Sequence, residues 1–384
     1  MTIEAVDPRA RGLRSRSRDD VAGLVGSIRR IDFVLLSATI GVVAYGIWAI
    51  GGITRHDPGG SAAGRQLVYV GAGSILLVAA FLIDPSVYRR FWHVIYLGLC
   101  ALLGVVLAVG ASANGAGRWI AFGSFTFQPS EFGKVLLVLA LAAFVADHSK
   151  EVGGPGLPLK TIALALGPIL LVFLQPDAGT AIVYGSVLAA VLFVSGIRWL
   201  YLVLLGAAGL IAVLSVLWWL PAAGVNVLKP YQTQRLTDSN SYNLVESKIA
   251  VGAGGVRGRG ISGASQTALS FLPSHATDFA FASLAEQRGF FGASVLLLLY
   301  LLIIWRGLKI VTTARDLFGA IVAAGIVFAF LVQVFVNVGM TMGIAPITGI
   351  PLPFISVGGS SMITNLAAVG ILLSIHARGG RRRQ

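Results

Sequence analysis

Ten stretches of this chain are apolar for roughly the length that crosses a bilayer, and no other feature limits its fold so strongly. They fall at about 31–52, 66–84, 92–110, 132–147, 160–175, 178–196, 198–220, 289–306, 318–343 and 356–377. The expected fold class is therefore an all-α integral membrane protein, a bundle of about ten transmembrane helices. Composition leads the same way: 56% of residues are hydrophobic and 12% charged, more apolar surface than a soluble domain of 384 residues could hide. The 48 glycines suit helices that pack closely in lipid. Cys100, the only cysteine, lies inside an apolar run, so no intrachain disulfide supports the fold.

Residues 1–30 are polar and rich in arginine, and read as a disordered cytoplasmic tail. The run that follows is too long for a signal-peptide core, so it stays in the mature protein. The membrane domain spans 31–377, and 378–384 form a second basic tail. An even number of spans puts both termini on one side. With that side cytoplasmic, nineteen basic residues lie in the tails and inner connections, against Arg55, Arg65 and Arg118 in the short outer ones. The long 221–278 connection between helices 7 and 8 is extracytoplasmic. The net charge of +13 comes from flanks of apolar spans, which points to anionic membrane lipids and away from nucleic acid.

Under this topology the unusual polar clusters, 111–131, 175–177, 221–278 and 343–355, all fall on the outer side. A transporter would more often carry charges near mid-membrane on broken helices; a one-sided collection suggests chemistry on one face. In GAGRWIAFGSFTFQPSEFGK (115–134), Pro129 and Glu131 are ordinary for a helix start. Lys134 one turn on is costly in lipid unless paired, and Glu131 at i−3 is the available partner, as a purely structural ion pair or as part of a site. Arg118 suits bidentate phosphate binding, whereas Trp119 reads as an interfacial belt residue. Asp177 in QPDAGTA reads as a helix N-cap ahead of a functional group.

The glycines from 252 to 263 satisfy GxGxxG at Gly258, Gly260 and Gly263, but no strand precedes them. They make either a flexible loop or a backbone that approaches a phosphate or sugar beside Arg257 and Arg259. Pro346, Pro351 and Pro353 forbid a regular helix in 343–355, and irregular backbone at that depth must line a cavity or be covered by protein. Asp278, in FLPSHATDFAFASLAEQRG (271–289), stands where the chain re-enters lipid, as a helix cap or a chemical group. HExxH, paired cysteines and GxSxG are all missing from the sequence. One carboxylate among several cations suits transfer from an activated phosphate donor, with a base, and with cations or a divalent ion for the leaving group.

Four of these segments, GAGRWIAFG…FQPSEFGK, QPDAGTA, IAVGAGG…GRG…SQ…FLP…TDFAFASLAE and NVGMTMGIAPITGIPLPFISVGGSS, together resemble the SEDS family (shape, elongation, division and sporulation) over about 31–377. The chain looks most like the rod-elongation branch, with the division branch the close alternative. The resemblance implies a bacterial plasma-membrane peptidoglycan glycosyltransferase. It would polymerise lipid II with inversion and release undecaprenyl pyrophosphate, alongside a class B penicillin-binding protein. It also implies that Asp278 is the catalytic carboxylate, with Arg118, Glu131, Lys134, Asp177, Arg235, Ser356, Gly358 and Gly359 toward substrate. A divalent cation, Mg2+ or Mn2+, would be the cofactor, with no organic cofactor, and the metal ligands are unknown. Where the family shows PExHTD this chain has Ser274, His275 and Ala276 before Thr277 and Asp278, and Val357 replaces a tyrosine. A lipid II flippase and a non-enzymatic scaffold are the competing functions; polar groups on one side only speak against the first, and the motif set against the second.

Overall fold

The computed structural model describes residues 30–55, 57, 62–109, 111–113, 116–122, 125–151, 153–224 and 241–379. The arginine-rich stretch before residue 30, Arg235 and the basic residues after 379 lie outside the described residues. The main helices are α1 (Phe33–Ile53), α2 (Ala63–Leu82), α3 (Trp92–Val109), α4 (Pro129–Asp147), α5 (Gly156–Leu174) and α6 (Ala178–Val194). They continue with α7 (Trp199–Ala222, through a π-helical turn at Ser215–Trp219), α8 (Tyr242–Gly254), α9 (Ala280–Thr313), α10 (Leu317–Met342) and α11 (Gly359–Gly379). Eight of these are long and apolar enough to cross a membrane, while α3 and α6 are shorter apolar helices. All ten apolar runs of the sequence are thus helical, and the chain is an all-α, multi-pass membrane protein.

Burial sorts the bundle. Helices α4, α10 and α11 are mostly buried and form its centre, and α7 is not buried at all and lies at the edge. Apolar side chains such as Ile75, Val94 and Trp199 are exposed, as expected where the solvent is lipid. At the end of the bundle holding the start of α1, ion pairs fasten neighbours: Asp32 to Arg306, Arg89 to Asp147, and Arg378 to Asp84. Asp32 also caps α1, accepting from the Val34 and Leu35 amides. Burial pushes its carboxyl up, but the Arg306 hydrogen bonds and the Leu35 amide outweigh that and hold it below the usual carboxylate range.

At the opposite end, two segments have order that the apolar pattern does not announce. The 111–127 stretch is a three-stranded antiparallel sheet, β1 (Ala111–Ala113), β2 (Ala116–Phe122) and β3 (Phe125–Phe127), pairing Ala111 with Trp119 and Ile120 with Phe127. In the 221–278 connection, α8 is followed by a glycine turn and two short helices, Gly260–Gly263 and Ser265–Ala268.

The glycine turn packs directly on α9. That helix breaks at Gly289 (φ 63°, ψ −161°), a conformation essentially restricted to glycine. The amides freed by the break find acceptors in the turn: Phe290 donates to the Gly255 carbonyl at 2.8 Å and Phe291 to that of Val256 at 3.3 Å. In return the Arg259 amide donates to the Glu286 carbonyl at 2.9 Å. A Cβ at Gly258 would sit 2.3 Å from the Gln287 carbonyl oxygen, so the close approach admits only glycine. Of the two readings of this loop, flexible surface or phosphate cradle, neither describes Gly254 and Gly258, whose open faces are filled by α9.

Candidate active site

Asp278 lies on a turn whose successive carbonyls are taken by three elements, α9, α10 and the segment between α10 and α11. The His275 carbonyl accepts from Ser283 Oγ at 3.1 Å and that of Ala276 from the Val357 amide at 2.9 Å. The Thr277 carbonyl accepts from Ser356 Oγ at 2.5 Å, and the Asp278 carbonyl from Asn337 Nδ2 at 2.9 Å. Four anchors on four consecutive residues fix the direction in which the Asp278 side chain leaves the backbone. Helix α9 begins after it, with Phe279 at the N-cap position.

The proline-rich segment between α10 and α11 forms the other wall. Leu352, Phe354 and Ile355 are fully buried, and the Tyr300 hydroxyl donates to the Pro353 carbonyl, so protein covers this irregular backbone as its depth requires. Ser356 Oγ, besides reaching Thr277, accepts from the Leu352 amide at 2.8 Å. Gly349 (φ +70°) brings its backbone to the carboxylate: a Cβ there would be 3.6 Å from Asp278 Oδ2. Gly358 and Gly359 lead into α11, with the Gly358 carbonyl accepting its first helical bond from the Met362 amide at 3.1 Å.

A second polar cluster sits across that wall, built on the starts of α4 and α6. Asp177 caps α6 through the Thr180 amide at 3.2 Å, as its position predicted. Its carboxylate also accepts from Gln128 Nε2 and Ser130 Oγ, both at 3.0 Å, and from Thr180 Oγ1 at 2.9 Å. Arg118 Nη1 pairs with it at 3.6 Å, and the guanidinium carbon lies 4.7 Å above the Trp119 ring. Trp119 donates in turn to Gln128 Oε1 at 3.1 Å, so the ring fixes the sheet to α4. Arg118 is 15% exposed at its side chain, which leaves one edge of a partly paired guanidinium at the surface.

Behind it, Lys134 Nζ meets Glu131 Oε2 at 2.8 Å, both side chains almost wholly buried. The expected pair therefore exists, and Lys134 also lines a small cavity with Gln333 and Thr364. The two clusters are joined through Gly179, where a Cβ would lie 2.6 Å from the Thr348 carbonyl oxygen. Arg257 and Arg259 are exposed on the glycine turn, with Arg259 Nε donating to the Ala253 carbonyl at 2.9 Å, so they are attached to α9 two turns past Asp278.

Two residues that lie inside the family motifs, and to which the sequence reading gave no role, prove central. Asn337, fully buried on α10, donates to the carbonyls of both Asp278 and Ile350, at 2.9 and 2.8 Å. Glu286, fully buried on α9, accepts from the Gln266 and Thr267 amides, each at 2.9 Å, and from Thr267 Oγ1 at 2.6 Å. A polar side chain deep in an apolar helix was the available signal for Asn337. Among the described residues no three His, Cys, Asp or Glu side chains cluster as a metal cage.

Comparison with known proteins agrees with this architecture. The pattern of the FtsW/RodA/SpoVE family, described as cell cycle proteins, matches residues 29–380. The peptidoglycan glycosyltransferase MrdB of Escherichia coli is 38% identical over 357 residues, covering 90% of this chain and 93% of that one. Stage V sporulation protein E of Bacillus subtilis is 34% identical, over 89% of this chain and 94% of its own. Among solved structures, a chain of a peptidoglycan synthase complex aligns at TM-score 0.76 and 30% identity, over 91% of this chain and 99% of its own. The rod shape determining protein RodA of Thermus thermophilus aligns at 0.67 and 28% identity, over 90% of this chain and 96% of its own. With its family pattern matched from end to end of the membrane bundle, this chain belongs to the FtsW/RodA/SpoVE, or SEDS, family.

Proposed function

We propose that this protein is a peptidoglycan glycosyltransferase of cell elongation, which joins lipid II-linked disaccharides into glycan strands at the extracytoplasmic end of its bundle. The observation that carries the reading is the Asp278 turn, a carboxylate held by four backbone anchors beside an irregular, protein-covered wall. Asp278 takes the proton from the acceptor sugar's 4-hydroxyl as that oxygen bonds to the donor's anomeric carbon from the face opposite the departing pyrophosphate. The bond from that carbon to the pyrophosphate oxygen breaks with inversion, and undecaprenyl pyrophosphate carries the electron pair away.

Arg118, partly exposed and held by Asp177 and Trp119, is the cation we assign to the pyrophosphate, because its guanidinium suits bidentate phosphate binding. Lys134 is buried on Glu131 and supports that cluster from behind. Arg235, Arg257 and Arg259 are further candidates for the lipid-linked phosphates. Among the described residues no three His, Cys, Asp or Glu side chains form a cage for a divalent cation, Mg2+ or Mn2+, and no step is assigned to it. Elongation is favoured over division because the chain aligns over 90% of its length with the rod shape determining protein RodA of Thermus thermophilus. A class B penicillin-binding protein is the proposed partner; the chain aligns with a synthase complex that coordinates polymerization and crosslinking.

Purified protein, with lipid II and with and without its partner and Mg2+, provides the test. Asp278→Asn is expected to lower polymerisation about 10²- to 10⁴-fold while lipid II binding persists. Full activity in that variant would end the assignment of Asp278 as base.

A further inference from the structure

His275 lies three residues before Asp278, and both of its ring nitrogens face oxygen acceptors. Nε2 is 3.0 Å from Asp57 Oδ1, and Nδ1 is 3.2 Å from the Leu272 carbonyl oxygen. A neutral imidazole carries one N–H and can satisfy one of these; the doubly protonated ring satisfies both and pairs with the Asp57 carboxylate. The ring is 13% exposed at its side chain and Asp57 26%, so water competes weakly for the ring. The residue's own carbonyl is the first of the four anchored ones, accepting from Ser283 on α9. Asp57 belongs to the connection between α1 and α2, an element that no other described bond ties to this turn.

We propose that His275 is a positioning residue, whose protonated ring latches the Asp278 turn onto the α1–α2 connection through Asp57. Among the described residues, Asp57 is a charged side chain that faces the ring, and the Leu272 carbonyl faces its other nitrogen. Loss of the ring proton removes one of the two bonds and the charge pairing with Asp57, and so loosens the attachment of the turn to the α1–α2 connection. The proposal rests on the polymerase reading for its kinetic consequence but not for its structural one, and the two are measured separately.

The structural arm is hydrogen–deuterium exchange of a peptide covering 272–279, at about pH 5.5 and about pH 8, the range over which histidine acts as a switch. After correction for intrinsic rates, exchange in the full-length protein is expected to be about five-fold faster at the higher pH, the worth of one hydrogen bond. His275→Arg, which stays charged, is expected to show no such change, and Asp57→Ala, which removes the acceptor, is expected to exchange fast at both values. The kinetic arm is kcat for lipid II polymerisation over the same range. His275→Arg is expected to remove an alkaline fall of about five-fold seen in wild type, with KM unaltered. Thermal midpoints in detergent confirm that each variant is folded. Exchange that is equal at both pH values in wild type, or a pH dependence retained in both variants, overturns the proposal. Absence of polymerisation in wild type with a normal exchange pattern would instead count against the polymerase reading alone.

Discussion

The amide nitrogen of Asn337 donates to the backbone carbonyl of Asp278 at 2.9 Å, across 59 residues of sequence, and to that of Ile350 at 2.8 Å. One side chain of α10 therefore binds both walls of the site. Asn337→Leu keeps the branching of the side chain but removes the donor that the two carbonyls share. A loss of about 1–3 kcal/mol in stability is expected. A fall in kcat of about 10²-fold should accompany it, as the carboxylate drifts from its position. Chemical denaturation in detergent and polymerisation kinetics read the two effects independently.

Lys134 and Glu131 form an ion pair buried on both sides, so breaking it from one side strands a charge. Lys134→Met is expected to destabilise by about 3–5 kcal/mol. Adding Glu131→Gln removes the stranded charge, and the double variant should recover most of that loss. A double-mutant cycle on thermal midpoints measures the coupling; additive losses would show that the pair contributes nothing.

Asp32 titrates below its ordinary value of 3.8 because the Arg306 hydrogen bonds and the Leu35 amide outweigh the cost of its burial. A folded-state value below the unfolded one gives stability that is present above the unfolded value and disappears as pH falls through the folded value. Stability should therefore decline on the acid side of about 3.8, and Asp32→Asn should flatten that part of the curve while lowering the plateau at neutral pH. Thermal midpoints of both proteins from acid to neutral pH decide this.

Gly258 combines a φ of +82° with a carbonyl oxygen 2.3 Å from where a Cβ would stand. Gly258→Ala is expected to cost about 1–3 kcal/mol and to loosen α8 from α9. Limited proteolysis between α8 and the Ser265–Ala268 helix should accelerate in the variant. Gly252, whose added Cβ would meet open space, gives the control: Gly252→Ala should leave cleavage unchanged.

The bundle was legible because lipid imposes one rule on every span, and runs such as 318–343 and 160–175 differ from their helices by only a few residues at each end. Asp177 and the Glu131–Lys134 pair were legible for local reasons, a cap position and an i+3 spacing. Asn337, Glu286 and Asp57 were not, since each acts on backbone or on a ring far away in sequence, and nothing in its own neighbourhood marks the partner. The sheet at 111–127 also escaped notice. Its strands are three to seven residues long, too short for alternation to stand out between two apolar helices.

A helix interrupted by glycine usually bends easily, because water can take up the amides that the interruption releases. At Gly289 those amides are occupied by Gly255 and Val256, and flexing there would have to rupture both bonds. The stretch from Tyr242 to Glu286 consequently behaves as a crank mounted on the top of α9 rather than as a loose flap. Force applied to α8 from solution would be delivered as displacement to the turn bearing Asp278, and little of it would dissipate at the joint.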